Sequence, residues 1–178
     1  DEIDKKRELN DDEIIDVRLT DGEDNVVLVT KKGLSITFDE KDVRPVGRSA
    51  QGVIGIRLDE EDVVIGMESI INSKNATLLA ITENGFGKRT ELSEYRVQNR
   101  GGRGVITYKV TPKTGDIVGI RIANGDEDVM LITDKGTIIR LNSSEISVLG
   151  RSTQGVTLMR TNDGKVVSIE KIIEPEQE

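Results

Sequence analysis

Arginine stands beside glycine or a small hydroxyl residue at three related places in the chain: Gly47-Arg48-Ser49-Ala50-Gln51-Gly52-Val53, Asn99-Arg100-Gly101-Gly102-Arg103-Gly104-Val105 and Gly150-Arg151-Ser152-Thr153-Gln154-Gly155-Val156. Small residues let backbone N–H groups approach a ligand closely, and a neighbouring guanidinium attracts phosphate. The second copy, led by Gln98, is the richest, because Arg100 and Arg103 flank Gly101 and Gly102. A glycine-bearing turn is also a common structural device. What sets these loops apart is that arginine returns in every one. If the three loops are equivalent in space, they form a curved track of positive points suited to a bent duplex.

Other candidates are weaker. Gly85-Phe86-Gly87-Lys88-Arg89-Thr90 lacks the spacing of a P-loop and runs on into a strand, so Lys88 and Arg89 are expected only as secondary phosphate contacts, together with Arg140. The acidic groups Asp11-Asp12 and Glu60-Glu61-Asp62 read as solvated turns without calcium-loop spacing. Asn75-Ala76-Thr77 and Asn142-Ser143-Ser144 match glycosylation sequons, which matter only in a secreted chain. The run Lys5-Lys6-Arg7 is too short to act as an address.

The elements that position these loops follow from a repeat. Val26-Val27-Leu28-Val29-Thr30-Lys31-Lys32-Gly33 returns as Thr77-Leu78-Leu79-Ala80-Ile81-Thr82-Glu83-Asn84-Gly85 and as Val129-Met130-Leu131-Ile132-Thr133-Asp134-Lys135-Gly136. The aligned glycines 33, 85 and 136 are 52 and 51 apart, and so are the loop glycines 52, 104 and 155. Two anchors with one period define a repeat of about fifty residues. The apolar set holds 18 Val and 21 Ile against 12 Leu and 4 Ala, a β-branched inventory that favours strands. Four short strands per repeat are predicted: 13–19, 25–30, 33–38 and 53–58, then 62–70, 77–82, 85–90 and 105–110, then 116–123, 128–133, 136–141 and 156–161. The Thr-x-x-Gly junctions read as tight hairpins, and 142–149 as a capped single helical turn. Residues 165–173 resemble the first strand of a further repeat. The organisation is thus a lead-in at 1–10, blade repeats at 11–58, 59–110 and 111–161, a closing strand at 162–173 and an acidic tail at 174–178. The fold class is all-β, with propeller blades of four antiparallel strands.

Three blades do not ordinarily close a ring, so the chain is expected to be part of a larger propeller or to close with partners, and the lack of an initial Met points to a fragment. With no Cys, His or Trp, it offers no disulfide framework, thiol nucleophile, Cys/His zinc site or Ser-His-Asp triad. Absent cysteine fits an intracellular setting, and no apolar run is long enough for a membrane span. Aromatics at 2% argue against a stacking platform for single strands. The net charge of -8 arises from acids placed largely in inter-repeat turns and the tail.

Taken together, the three arginine loops, Tyr95-Arg96-Val97-Gln98-Asn99-Arg100-Gly101-Gly102-Arg103-Gly104 and Glu83-Asn84-Gly85-Phe86-Gly87-Lys88-Arg89-Thr90 resemble the end of the C-terminal domain of the DNA gyrase A-subunit family across nearly the whole chain. The resemblance implies a six-bladed β-pinwheel whose neighbouring blades exchange strands, with these repeats as its last three blades, about half of the ring. It implies duplex DNA wrapped on the rim, in an A2B2 enzyme that introduces negative supercoils with ATP and Mg2+ handled elsewhere. It also implies a bacterial cytoplasmic location at the nucleoid, no membrane, and no catalytic residue, metal or cofactor in this stretch. Gln98, Asn99, Arg100, Gly101, Gly102, Arg103 and Gly104 match the family's signature heptapeptide except that Asn99 replaces an arginine, which makes it a degenerate copy. The expected function is sequence-tolerant binding and bending of double-stranded DNA. The principal contacts would be Arg48, Arg100, Arg103 and Arg151, with Gly101 and Gly102 allowing close approach. Alternatives are the related A-subunit domain of topoisomerase IV, binding DNA without active wrapping, and a propeller used as a protein-interaction module. A propeller hydrolase finds little support, since no histidine is available as a base.

Overall fold

The computed structural model describes residues 12–70, 75–162 and 164–172, so the lead-in at 1–10 and the tail at 174–178 lie outside the described residues. Eleven strands are present among them: β1 (Asn25–Thr30), β2 (Leu34–Asp39), β3 (Val64–Ile70), β4 (Thr77–Thr82), β5 (Phe86–Glu91), β6 (Val105–Ile106), β7 (Ile117–Ala123), β8 (Asp128–Thr133), β9 (Ile138–Asn142), β10 (Val156–Thr157) and β11 (Val166–Ile172). They form antiparallel sheets in the orders β3-β1-β2-β6, β10-β5-β4-β7 and β11-β8-β9.

The sheets are assembled across the boundaries of the sequence repeats. β1 and β2 come from the first repeat, whereas β3 and β6, which flank them, come from the second. In the same way β7 and β10 of the third repeat flank β4 and β5 of the second. Each hairpin is closed by a short bond from the glycine of the Thr-x-x-Gly junction to the threonine carbonyl, at 3.1, 3.0 and 3.0 Å. After each hairpin comes a single 3-10 turn (Glu40–Asp42, Leu92–Glu94, Ser143–Glu145), and Asn142 caps the last by accepting from Ser144 N at 3.0 Å.

Strand exchange accounts for the strands that do not form. Residues 13–19 are not a strand: no hairpin precedes them among the described residues, and Ile14, Val17 and Leu19 stand 89%, 73% and 96% exposed. Within 53–58 only Ile56 is paired, in a parallel bridge to Gly102. The segments 105–110 and 156–161 shrink to two paired residues each. There, Thr107 N and Tyr108 N both bond the Gly33 carbonyl (2.8 and 3.2 Å), and Leu158 N and Met159 N both bond that of Gly85 (2.8 and 3.2 Å), which ends the alternating ladder.

The core lies between sheets. β4 is buried along its full length because alternate side chains serve both faces of the middle sheet. Leu78 and Ala80 pack with Val27, Val29, Ile117 and Ile120 toward the first sheet. Leu79 and Ile81 pack with Leu131, Ile146 and Ile169 toward the third. Each such Val, Leu or Ile side chain removed from water contributes about 1.5–3 kcal/mol. β7 contacts both β3 and β11, so the inner edges of the sheets meet. β6 and β10 occupy the opposite, outer edges.

Candidate nucleic-acid interface

The second and third arginine-glycine loops lie where one sheet meets the next repeat. In the second repeat, Val97 forms a parallel bridge with Thr37 of β2, and Gln98 N donates to the Thr37 carbonyl at 2.7 Å. Gly101 N then bonds the Gly55 carbonyl at 2.5 Å, and Arg57 N bonds that of Gly102 at 2.8 Å. The third repeat copies the joint: Arg89 of β5 bridges Val148, Leu149 N bonds the Arg89 carbonyl at 2.8 Å, and Lys109 N bonds that of Thr153 at 3.0 Å.

Close contact at this joint demands glycine. Gly104 has φ +75°, and a Cβ there would lie 2.1 Å from the Ser35 carbonyl oxygen. Gly155, at φ +73°, would place one 2.6 Å from the Gly87 oxygen. Gly101 is also left-handed (φ +77°), whereas a Cβ on Gly102 would meet nothing closer than 3.6 Å.

The arginines divide by environment. Arg100 donates through Nε to the Asp42 carbonyl (2.8 Å) and through Nη1 to that of Ile54 (3.1 Å). Arg151 donates through Nη1 to the carbonyl of Ile106, 52 residues after Ile54, at 3.0 Å. Its amide meets Glu94 Oε2 at 3.1 Å, and the Nε–Oε2 separation is 3.9 Å. Both side chains therefore pin a loop to the preceding repeat. Arg48 has no preceding sheet among the described residues. It is exposed and without a side-chain bond there, as is Arg103. Asn99 is exposed, while the Gln98 amide nitrogen is buried without a hydrogen-bond partner among the described residues.

Lys88, expected as a secondary phosphate contact, is turned inward and 1% exposed. Its ammonium donates to the carbonyls of Gly150 and Arg151 at 2.7 Å each and to Thr153 Oγ1 at 3.1 Å, and sits 5.1 Å from the centre of the Tyr108 ring. Burial pulls its pKa down to about 8; Glu94 acts against the shift and Arg151 adds to it. An ammonium enclosed by its own protein is not presented to a rim ligand. Arg89 braces the same joint through an Nε bond to the Ile146 carbonyl at 2.9 Å. Arg140 on β9 is exposed and paired with Asp128 at 2.6 Å.

Tyr95 and Tyr108 belong to the core: their hydroxyls meet Thr107 Oγ1 at 2.6 Å and the Gln154 carbonyl at 2.7 Å. Among the described residues, Asp21, Asp24 and Glu40 are close enough to share a cation. Their oxygens already accept from Thr20, Ser69 and the Asp24 amide, and no further observation marks a metal site.

Sequence reasoning passed over a second set of cations. Arg57, Lys109 and Arg160 recur at spacings of 52 and 51, and Arg44 and Arg96 are also 52 apart. All five are exposed, and none makes a side-chain hydrogen bond or ion pair among the described residues. The signal that would have found them is the period already used for the loops.

Comparison with known proteins agrees with this geometry. The family model described as DNA gyrase C-terminal domain, beta-propeller, matches three segments, 24–71, 76–124 and 127–172. Each begins near a hairpin and ends on the flanking strand contributed by the next repeat. The DNA gyrase A-subunit of Staphylococcus epidermidis is 47% identical over 158 residues, covering 89% of this chain and 18% of that protein. The chain thus spans about a fifth of the length of the curated relatives it matches. Among solved structures, the C-terminal domain of DNA topoisomerase IV superposes with a TM-score of 0.86 at 32% identity, over 92% of this chain and 51% of that one. The DNA gyrase A C-terminal domain superposes with a TM-score of 0.79 at 30% identity, over 85% and 51%.

Proposed function

The chain belongs to the DNA gyrase C-terminal domain family, and from that premise we propose that it binds and bends double-stranded DNA along the outer edge of its blades. The observation that carries this reading is the return of an arginine loop in each repeat, held at the same joint in the second and third. Arg48 and Arg103 contact phosphate with unengaged guanidiniums. Arg100 and Arg151 shape the loops and offer the N–H groups left over from their backbone bonds. Arg89 and Arg140 stand behind them as secondary contacts, and Gly101 and Gly102 let the duplex come close to the backbone. Neutralised phosphates and DNA deformability supply the affinity, so base preference is weak.

In this reading the repeats at 11–58, 59–110 and 111–161, completed by 162–173, are successive blades of a larger ring. The chain is a non-catalytic part of a type II topoisomerase. Its partners are the remainder of the gyrase A-subunit, together with the B-subunit, in an A2B2 enzyme. There ATP and Mg2+ act on other regions, in the bacterial cytoplasm at the nucleoid. The test is a salt titration of the full-length protein on a duplex of about 40 base pairs. Affinity should fall steeply with salt, and Arg48→Ala with Arg103→Ala should weaken it and flatten the dependence. Salt-independent binding, or none at low salt, contradicts the reading.

Asn99, standing where the family's heptapeptide has an arginine, favours a second reading, that of the topoisomerase IV domain, in which the chain binds DNA without wrapping it actively. A topology assay separates the two. Gyrase-type wrapping yields negative supercoils from relaxed plasmid with ATP, whereas under the second reading relaxed plasmid stays relaxed and only supercoiled plasmid is changed.

A further inference from the structure

We propose that Arg57, Lys109 and Arg160 form a second phosphate-binding row on the rim, distinct from the arginines that pin the blades together. The inference rests on the DNA-binding reading above and assigns contacts that the loops alone do not provide. Two observations converge on these residues. They occupy equivalent positions, 52 and 51 apart. All are exposed, and none makes a side-chain hydrogen bond or ion pair among the described residues.

Backbone placement puts Lys109 and Arg160 at the rim, and Arg57 holds the equivalent position of the first repeat. Lys109 lies three residues beyond β6 and Arg160 three beyond β10, the outermost strands of their sheets. The opposite edges of those sheets are the ones that meet through β3, β7 and β11. Each row member is also tied to the loop of the following repeat where that repeat is present: Arg57 N to the Gly102 carbonyl, beside Arg103, and Lys109 N to that of Thr153. The row is therefore fixed at one place in each joint. A cation without a protein partner keeps all its donors for phosphate, whereas Arg100 and Arg151 spend theirs on carbonyls. A row at one point per blade follows a curved duplex backbone and reads no bases.

Two variants of the full-length protein test this, one with Arg57→Gln, Lys109→Gln and Arg160→Gln, the other with Arg100→Gln and Arg151→Gln. Affinity for a duplex of about 40 base pairs is measured against salt, with thermal melting alongside. The row variant should lose at least about tenfold in affinity at low salt and flatten the slope of log K against log salt by about 2–3, near one unit per lost phosphate contact, with melting unchanged. The pin variant should melt several degrees lower. An unaltered slope in the row variant, while the parent protein binds DNA steeply, overturns the row and leaves the DNA-binding reading standing. A melting loss in the row variant equal to that of the pin variant also overturns it, because the residues would then be structural. A parent protein that binds no duplex defeats both.

Discussion

Lys88 carries a positive charge into the joint between the second and third sheets, where two carbonyls and a hydroxyl replace its water. Removing it takes the ammonium donor from the Arg151 carbonyl, whereas the Gly150 carbonyl keeps Thr153 N and Thr153 Oγ1 as donors. Lys88→Met should therefore destabilise the chain by about 1–3 kcal/mol, read as a melting shift of a few degrees. Glu127 is the acidic counterpart. Burial pushes its pKa up, but the Asn124 amide, its own backbone N–H, Ser143 and Lys171 outweigh this and hold it at about 2. Because the folded-state value lies below the ordinary 4.5, the stabilisation is present above about pH 4.5 and is lost as pH falls toward 2. In urea melts, Glu127→Gln should remove about 1–2 kcal/mol of the acid-induced loss, a figure reduced for solvent screening. An acid sensitivity equal to that of the parent chain would refute the assignment.

At the scale of elements, the joint is a strand of one repeat pressed against the loop of the next, and its tolerance for side chains differs sharply over three residues. Gly104→Ala sets a methyl against the Ser35 carbonyl at a left-handed φ, so it should destabilise by about 2–3 kcal/mol. Gly102→Ala should stay within about 1 kcal/mol, since the space is open and Thr153 already occupies the equivalent position. Equal effects in denaturant melts would contradict this account of the joint. The hairpins were legible in the sequence because a β-branched run, a Thr-x-x-Gly turn and a second run are local signals, and 25–30, 77–82 and 128–133 match β1, β4 and β8. The strands at 13–19 and 53–58 were misjudged because a strand needs a partner, and periodicity within one repeat does not say which repeat supplies it. The same limit applies to the site. The loops were found by their repetition, but the inward turn of Lys88 depends on carbonyls 62 and 63 residues away. The pinning of Arg100 depends on carbonyls 58 and 46 residues away, which no local motif announces.

At the scale of the whole molecule, a chain of net charge -8 can still hold an anionic polymer if its cations share one edge. The duplex is stiff, with a persistence length of about 150 base pairs, so a curved row of phosphate contacts shows itself as bending. The most direct measurement places fluorophores at both ends of a duplex of about 60 base pairs and follows energy transfer as the full-length protein is added. The account predicts that the ends draw together at low salt, that they part again as salt rises, and that the effect weakens when Arg48 and Arg103 are replaced by alanine. A duplex that binds yet stays straight, or one bent equally well after those cations are removed, would contradict it.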